Sequence, residues 1–262
     1  MKRAKKSLGQ NFLIDYNIVK KIINTVEILD KDVLEIGPGK GILTDEILKR
    51  KPKSLIIIEK DSFISGELKF KYKENKRIKL YNADILKFDI EKHIKKNTII
   101  FGNLPYNISS QILVKIIRFK KWPPKFFGLI FMFQKEMAER IVGKFNTSKY
   151  GRLSILTSSR LNIFNTFNVS SNCFSPKPKV ESTVIFFKPI KKTEHKIKNI
   201  KSLEKITNIF FSNKRKMINK NIKKIFKKHK QISYFKNLDL QKRPSDIEPK
   251  KYYEITELYE KL

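Results

Sequence analysis

The sequence predicts an α/β protein with a Rossmann-like, mostly parallel sheet, an antiparallel edge strand and a small all-α C-terminal domain. Three observations support this prediction. Short apolar runs alternate with amphipathic segments, one apolar run ends in three closely spaced glycines, and no glycine follows Pro189, where apolar residues take up helical spacing. Alternation of this kind is typical of parallel strands joined by helices that cover both faces of the sheet.

The predicted elements follow one another in chain order. A basic arm over residues 1–10 precedes a helix over Asp15–Ile28. The predicted strands are Asp32–Ile36, Ser54–Glu59, Ile78–Asn82, Thr98–Gly102 and Phe127–Phe133. The predicted helices between and after them include Thr44–Lys51, Phe63–Lys73, Ser109–Phe119 and Lys135–Lys144. The strand runs are short and apolar, whereas the helical segments repeat apolar residues every three or four positions.

Two further strands are predicted over Arg152–Phe164 and Val180–Lys188. The loop that joins them contains the sequence N-C-F-S-P-K-P-K. Because no long helical segment separates the two strands, we expect them to pair as a hairpin and close the sheet with an antiparallel edge.

The chain divides into two predicted domains. Residues 1–190 hold the strand–helix alternation, and residues 191–262 form a small basic helical domain with lysines between its apolar positions. A polar stretch, K-K-T-E-H-K-I-K-N, is the expected linker. We expect this basic helical domain to bind RNA.

The charge of the chain points to a polyanionic partner. Lys and Arg number 58 against 25 Asp and Glu, which gives a formal net charge of +33. Self-repulsion of this size favours RNA or DNA as the partner. Lysine far outnumbers arginine, and Ile and Asn are abundant, so the bias of an A/T-rich genome is a second explanation.

Several classes of protein are disfavoured by composition. The single Cys173 excludes an internal disulfide and a cysteine-based metal cluster, and the three histidines lack the spacing of metal ligands. No apolar run approaches 18 residues, and the N-terminus has no hydrophobic signal core. We expect a cytoplasmic monomer with no metal and no membrane span.

The most informative motif is a glycine-rich turn followed by two acids. Val33–Gly41 reads V-L-E-I-G-P-G-K-G, and Glu59 follows Gly37 by 22 residues at the tip of the next apolar run. Glycines let the backbone approach a ligand closely, and an acid at that place can accept hydrogen bonds from both ribose hydroxyls. Asp84 ends the third run and can accept a hydrogen bond from an adenine amino group, although a turn or helix-capping role explains it as well.

Two acids facing one nucleoside, with no pyrophosphate to bind, suit S-adenosyl-L-methionine. The glycine triplet alone is weak support, because enzymes that bind dinucleotides share it.

A second motif, F-G-N-L-P-Y-N, follows the apolar run that begins at Thr98. The carboxyl ends of such strands border the ligand crevice of an open α/β sheet. The Asn103 amide oxygen and the Leu104 or Pro105 carbonyl can accept the two N–H groups of an exocyclic amine, and Tyr106 can stack on its base. This arrangement would direct the nitrogen lone pair at a methyl donor without a strong base. The alternative is a simple Asn-Pro-type turn.

Together these motifs resemble the small-subunit ribosomal RNA adenine N6-dimethyltransferase family, almost from end to end. The resemblance rests on S-L-G-Q-N-F-L-I-D, E-I-G-P-G-K-G, I-E-K-D, N-A-D, G-N-L-P-Y-N-I-S, F-Q-K-E, Y-G-R-L-S, F-S-P-K-P-K-V-E-S, N-K-R-K-M-I-N-K-N and R-P-S-D-I-E-P.

The resemblance implies a class I methyltransferase sheet and a set of functional residues. It implies S-adenosyl-L-methionine as donor, and two adjacent adenosines in the 3′-terminal hairpin loop of small-subunit rRNA as substrate, each dimethylated at N6 during ribosome maturation. Asn11 and Leu13 would close over the donor, and Gly37, Glu59 and Asp84 would line its site. Asn103 would bridge donor and target, and Tyr106 with Phe174 would clamp an extruded adenine. Asn11 as a helix cap and Phe174 as a core aromatic remain open alternatives.

Two other functions remain open at this stage. The related large-subunit methyltransferases of macrolide resistance share the glycine motif and the N-x-P-Y motif, although Y-G-R-L-S and N-K-R-K favour the small-subunit enzymes. The second is a small-subunit assembly factor whose binding matters more than its catalysis.

The chain has lysine at many positions where the family has arginine. A lysine cannot form the bidentate contact with phosphate that an arginine forms, so we expect the affinity for RNA to depend steeply on salt concentration.

Overall fold

The computed structural model describes residues 11–193, 195–226 and 238–261. The predicted basic arm over residues 1–10 lies outside the described residues. The strands are β1 Phe12–Leu13, β2 Asp32–Ile36, β3 Ser54–Glu59, β4 Ile78–Asn82, β5 Thr98–Asn103, β6 Phe126–Gln134, β7 Leu161–Val169, β8 Phe174–Ser175 and β9 Ser182–Pro189. The helices are α1 Tyr16–Ile23, α2 Ile42–Lys49, α3 Ser62–Lys71, α4 Ile90–His93, α5 Ser109–Ile117, α6 Lys135–Val142, α7 Arg152–Ser158, α8 Ile200–Phe211, α9 Asn219–Ile225 and α10 Pro249–Tyr259.

Seven strands form one mixed sheet in the order β4-β3-β2-β5-β6-β9-β7. The strands from β4 to β6 in this order are parallel, and β9 runs antiparallel to β6. The predicted α/β class, with a mostly parallel sheet and an antiparallel edge, is therefore confirmed. Chain order reverses between β2 and β5, and ligands of open α/β sheets bind beside the carboxyl ends of strands at such a switch point.

The central strands are apolar because helices cover the sheet. Five of the six residues of β5 and four of the five residues of β2 are buried. From one side, α1 contributes Val19, Ile22 and Ile23 to the cluster that contains Val33 and Leu55 of the sheet. Continuous burial of this kind is expected for parallel strands.

The predicted strand over Arg152–Phe164 is wrong in its first half. Residues Arg152–Ser158 form α7, and the strand begins only at Leu161. The Ser154 hydroxyl accepts a hydrogen bond from the Gly151 N–H (3.0 Å) and donates one to the Gly151 carbonyl (2.8 Å), which caps the helix. The continuous burial of residues 154–157 resembles a strand in sequence, but the cap selects a helix.

The loop before β9 contributes one strand to a two-stranded sheet that the sequence did not indicate. A 3₁₀ turn over Ser171–Cys173 leads into β8, which pairs antiparallel with β1 so that Leu13 lies opposite Phe174. The pairing joins the start of the described chain to the N-C-F-S-P-K-P-K loop.

The described residues form two compact units. The first comprises the residues up to Ala138 together with Asn162–Pro189 and contains the sheet, and the second comprises Glu139–Leu161 and the residues from Ile190 onward. The second unit thus includes α7 as well as the C-terminal helices, whereas the sequence division at residue 190 placed α7 in the first domain.

The second unit has its own core. Helix α8 buries Leu203, Ile206 and Phe210, and the Phe210 ring lies 5.3 Å from the ring of Tyr252 in α10. The Tyr252 hydroxyl donates to the Pro244 carbonyl at 2.8 Å, so this large buried side chain leaves no unsatisfied donor. The unit is held together by helix packing, as the apolar spacing of the sequence predicts.

Candidate active site

The turn between β2 and α2 carries three glycines in the left-handed region. Gly37, Gly39 and Gly41 have φ values of 66°, 57° and 82°. A Cβ at Gly39 would lie 2.8 Å from the Phe12 ring, and one at Gly41 would lie 2.6 Å from the Tyr72 hydroxyl. Side chains at these two positions would therefore combine backbone strain with a clash. The turn lines a cavity in the first unit, as the motif predicts.

Glu59 lies at the carboxyl end of β3 and lines the same cavity. Its side chain is only 7% exposed, and its Oε1 atom accepts a hydrogen bond from the Asp61 N–H at 2.7 Å. Burial raises the pKa of this carboxyl above its usual value. The Glu59 carboxyl can therefore accept hydrogen bonds from hydroxyl groups of a ligand in the cavity.

Asp84 lies beside the cavity, and its neighbours Ala83 and Ile85 form part of the wall. Its carboxylate accepts a hydrogen bond from the Leu86 N–H at 2.9 Å and forms an ion pair with Lys60 at 2.9 Å. The bond to Lys60 lowers the pKa of Asp84. In this conformation Asp84 stabilises a turn, which was the alternative interpretation of this residue. Its contact with the adenine of the methyl donor stays a prediction.

The N-L-P-Y segment forms another wall of the cavity. Asn103 ends β5, and Leu104, Pro105 and Tyr106 follow it along the cavity lining. The Asn103 amide nitrogen donates to the Asn11 carbonyl at 3.4 Å, which ties the segment to the chain just before β1. The glycine turn, Glu59 and this segment therefore surround one cavity, as the sequence predicts.

Tyr106 is fixed by its hydroxyl group. This group lies 2.8 Å from the Ser182 hydroxyl at the start of β9, and burial raises the pKa of the phenol. A phenol anchored at its polar end can present its ring to the cavity in one orientation, which suits base stacking.

The structure brings two of the remaining predicted residues to the cavity but not the third. Asn11 and Leu13 line it, and Leu13 belongs to β1. Phe174, the cross-strand partner of Leu13, is only 3% exposed and belongs to the hydrophobic core cluster. In this conformation Phe174 packs in the core and does not line the cavity beside Tyr106.

One cavity residue, Glu35, was missed by the sequence argument. It is the acid within V-L-E-I, it is almost completely buried, and its carboxyl accepts a hydrogen bond from the Thr44 hydroxyl at 2.7 Å. Burial raises the pKa of Glu35 to about 8, and the negative charges of Asp45 and Glu59 act in the same direction. A carboxyl residue inside an apolar strand next to the glycines is an anomaly that could have identified it.

We expect the stability of the ligand-free protein to fall as pH rises from 6 to 8, by roughly 1 kcal/mol per pH unit. Folded Glu35 holds its proton up to a pKa of about 8, whereas the unfolded chain releases it near 4.5, so ionisation favours unfolding across this window. Unfolding by urea at several pH values measures the slope. Glu35→Gln keeps an acceptor for Thr44 and should flatten the curve, and an unchanged slope would show that another group is responsible.

Among the residues that the structure describes, no helix is long and apolar enough to span a bilayer. In the same part of the chain, no cluster of three or more His, Cys, Asp and Glu side chains is placed to hold a metal ion.

The chain is similar to known proteins over nearly its whole length. A family model described as ribosomal RNA adenine dimethylase matches residues 1–261. A ribosomal RNA small subunit methyltransferase A from Pelagibacter ubique (strain HTCC1062) is 46% identical over 260 residues, covering 99% of this chain and 98% of the relative. A protein of the same name from Malacoplasma penetrans (strain HF-2) is 40% identical over 256 residues, covering 96% and 90%.

Two solved structures share the fold of this chain. A dimethyladenosine transferase from Plasmodium falciparum superposes with a TM-score of 0.79 at 27% identity, covering 95% of this chain and 98% of that one. The 23S rRNA methyltransferase ErmE, with a TM-score of 0.68 at 21% identity and coverages of 95% and 100%, shares the fold. Since the family model matches residues 1–261, the chain belongs to the ribosomal RNA adenine dimethylase family.

Proposed function

We propose that this chain transfers methyl groups from S-adenosyl-L-methionine to N6 of two adjacent adenosines in the 3′-terminal hairpin loop of small-subunit rRNA. Membership of the adenine dimethylase family supports the reaction, and the relatives named small subunit methyltransferase A support the choice of rRNA. The observation that carries the proposal is the common cavity of the glycine turn, Glu59 and the N-L-P-Y segment.

The residues present fit the donor. The glycine turn leaves room for a close ligand, and Glu59 supplies acceptors for ribose hydroxyls beside it. Asn11 and Leu13 border the cavity at β1. Asp84 lies in sequence between Ala83 and Ile85, which both line the cavity. When bound, the donor supplies an electrophilic methyl group on its sulfonium sulfur.

Asn103 and its neighbours act on the target amine. The amide oxygen of Asn103 and the carbonyl of Leu104 or Pro105 accept the two N–H groups, so the nitrogen lone pair is turned away from the ring. The amide nitrogen of Asn103 is held by the Asn11 carbonyl, which orients the oxygen. Orientation and hydrogen bonding thus replace a general base.

Tyr106 is proposed as the aromatic residue that stacks on the extruded adenine. We expect Tyr106→Leu to lower methyl transfer about tenfold or more, because base–aromatic stacking is lost. Phe174→Leu should cost about 1 kcal/mol of unfolding free energy and leave methyl transfer near the wild-type rate, because leucine keeps most of the apolar volume in the core. Urea unfolding and initial rates measure both effects.

Equal loss of rate in Phe174→Leu and Tyr106→Leu would contradict this assignment. It would show that Phe174 leaves the core and forms the second face of the adenine clamp, as the family resemblance implies.

The proposed partner is an immature small ribosomal subunit, on which the chain acts as a cytoplasmic monomer. Exposed lysines on α8 and α9 of the second unit supply a surface for RNA or the ribosome. The test is methyl transfer from labelled donor to immature small subunits and to large-subunit rRNA, followed by mass spectrometry of the 3′-terminal hairpin. Dimethylated adenosines in that hairpin are expected, and label only in large-subunit rRNA would refute the proposal.

A further inference from the structure

An aromatic and basic cluster lies exposed on the antiparallel part of the sheet. Phe164 of β7 is 61% exposed and Phe127 of β6 is 41% exposed. Both rings contact the buried ring of Phe186 in β9, with centroid distances of 5.2 and 6.5 Å. The ammonium group of Lys188 lies 3.5 Å from the Phe164 centroid and 5.4 Å from that of Phe127. We call these four residues the aromatic–lysine patch.

The patch includes a residue that lies at an irregularity in β6. Thr98 pairs with Phe126 and the next residue of β5 pairs with Gly128, so Phe127 is an extra residue in the strand. A bulge of this kind re-aims a side chain. Gly128 lets the Phe186 ring pack against the strand, since a Cβ there would lie 2.4 Å from it. The register shift and the exposed ring of Phe127 therefore occur at the same place in β6.

The strands that carry the patch contain a basic residue but no acidic residue. The segments of β6, β7 and β9 contain no Asp or Glu, and Lys188 is their one charged residue. No acid occurs in the sequence between Glu91 and Glu136 or between Glu139 and Glu181. A surface with this composition is complementary to a polyanion.

The patch is separate from the cavity. Met132 of β6 lines the cavity and is the cross-strand partner of Asn103 in β5. Phe127 lies five residues earlier in β6. This separation corresponds to about 17 Å along the strand. A ligand of the patch would therefore not be the reacting adenine.

We propose that the aromatic–lysine patch binds unpaired nucleotides of the RNA substrate outside the reaction cavity. The inference rests on the proposed function for the choice of RNA. Exposed rings stack on bases, which a single strand offers and a duplex hides, and Lys188 can pass from the ring of Phe164 to a phosphate. A second copy of the chain is disfavoured because each copy has a net charge of +33 and presents a lysine in the same patch.

The test compares two RNA probes on the full chain. One is the 3′-terminal small-subunit hairpin, and the other is the same hairpin with a single-stranded extension. The double variant Phe127→Ala, Phe164→Ala should weaken binding of the extended probe about tenfold or more and leave the blunt hairpin unaffected. Lys188→Gln should reduce the salt slope for the extended probe by about one. Phe164→Trp should keep the affinity, since it preserves a stacking ring.

A matched control exists on α3, in the same unit. Phe70 is 76% exposed and has the Lys73 ammonium 5.4 Å from its ring centroid, so Phe70→Ala removes a similar ring from another surface. It should change neither affinity. The double variant should keep the wild-type kcat for methyl transfer. Loss of binding to the extended probe with an unchanged kcat would therefore test this inference separately from the proposed function.

Three outcomes would overturn the inference. The double variant could bind the extended probe like the wild type. It could lose affinity for immature subunits while binding of naked RNA is unchanged, which would indicate a ribosomal protein as the partner. It could convert a wild-type dimer to a monomer in sedimentation, which would indicate a second copy.

Discussion

Replacing Asn103 with alanine should lower methyl transfer to small-subunit rRNA by about a hundredfold or more, while donor affinity stays near the wild-type value. The adenine amine is a poor nucleophile because its lone pair is delocalised into the ring. In the proposed mechanism the oxygen of Asn103, which ends β5 and lines the cavity, holds that amine in a reactive orientation. Single-turnover rates with saturating donor measure the chemical step, and calorimetry measures donor binding.

Asn107→Ala is a matched control for this prediction. Asn107 has the same side chain, lines the same cavity four residues later and is exposed. Its loss should change the rate little. Asn103→Asp addresses a second question, because aspartate keeps acceptor oxygens but cannot donate to the Asn11 carbonyl. If acceptance from the amine is what matters, aspartate should retain more activity than alanine.

Full turnover in Asn103→Ala would refute the mechanism. Equal loss in the alanine and aspartate variants would assign Asn103 a positioning role through Asn11, and not direct contact with the target.

Much of the fold was predictable because burial and strand pairing leave a local pattern. The parallel strands are continuous apolar runs, and their observed bounds agree closely with the predicted ones, for example Ser54–Glu59 for β3 and Phe126–Gln134 for β6. The helix over Arg152–Ser158 was missed because its buried residues are consecutive, and only the Ser154 cap distinguishes it from a strand. The β1–β8 pairing joins residues that are far apart in sequence, so no local pattern reports it.

The candidate site was predictable where backbone geometry dictates residue type. Gly37 and Gly39, which have positive φ, line one cavity together with the acid at the tip of β3 and the N-L-P-Y segment. Interactions between distant side chains were not predictable. The ion pair of Lys60 with Asp84, the raised pKa of Glu35 and the burial of Phe174 each depend on neighbours that only the folded chain supplies.

Glu59→Gln should raise the dissociation constant for S-adenosyl-L-methionine by about tenfold or more, because a charged acceptor of hydroxyl hydrogen bonds becomes a neutral group with one acceptor oxygen. Stability should not suffer. Burial already penalises the charge of Glu59, as its raised pKa indicates, and the glutamine oxygen can still accept from the Asp61 N–H. The variant therefore separates donor binding from folding, with calorimetry for the first and urea unfolding for the second.

Glu46→Gln provides the control, because Glu46 is another buried carboxylate of the first unit, in α2, that pairs with Lys49 and does not line the cavity. Its replacement removes a partly buried ion pair, so we expect a stability change without a change in donor affinity. If Glu59→Gln bound the donor like the wild type, the ribose contact would be wrong. If donor affinity fell in both variants in proportion to stability, the effect of Glu59 would be on folding, and the acid at the tip of β3 would have no direct part in binding.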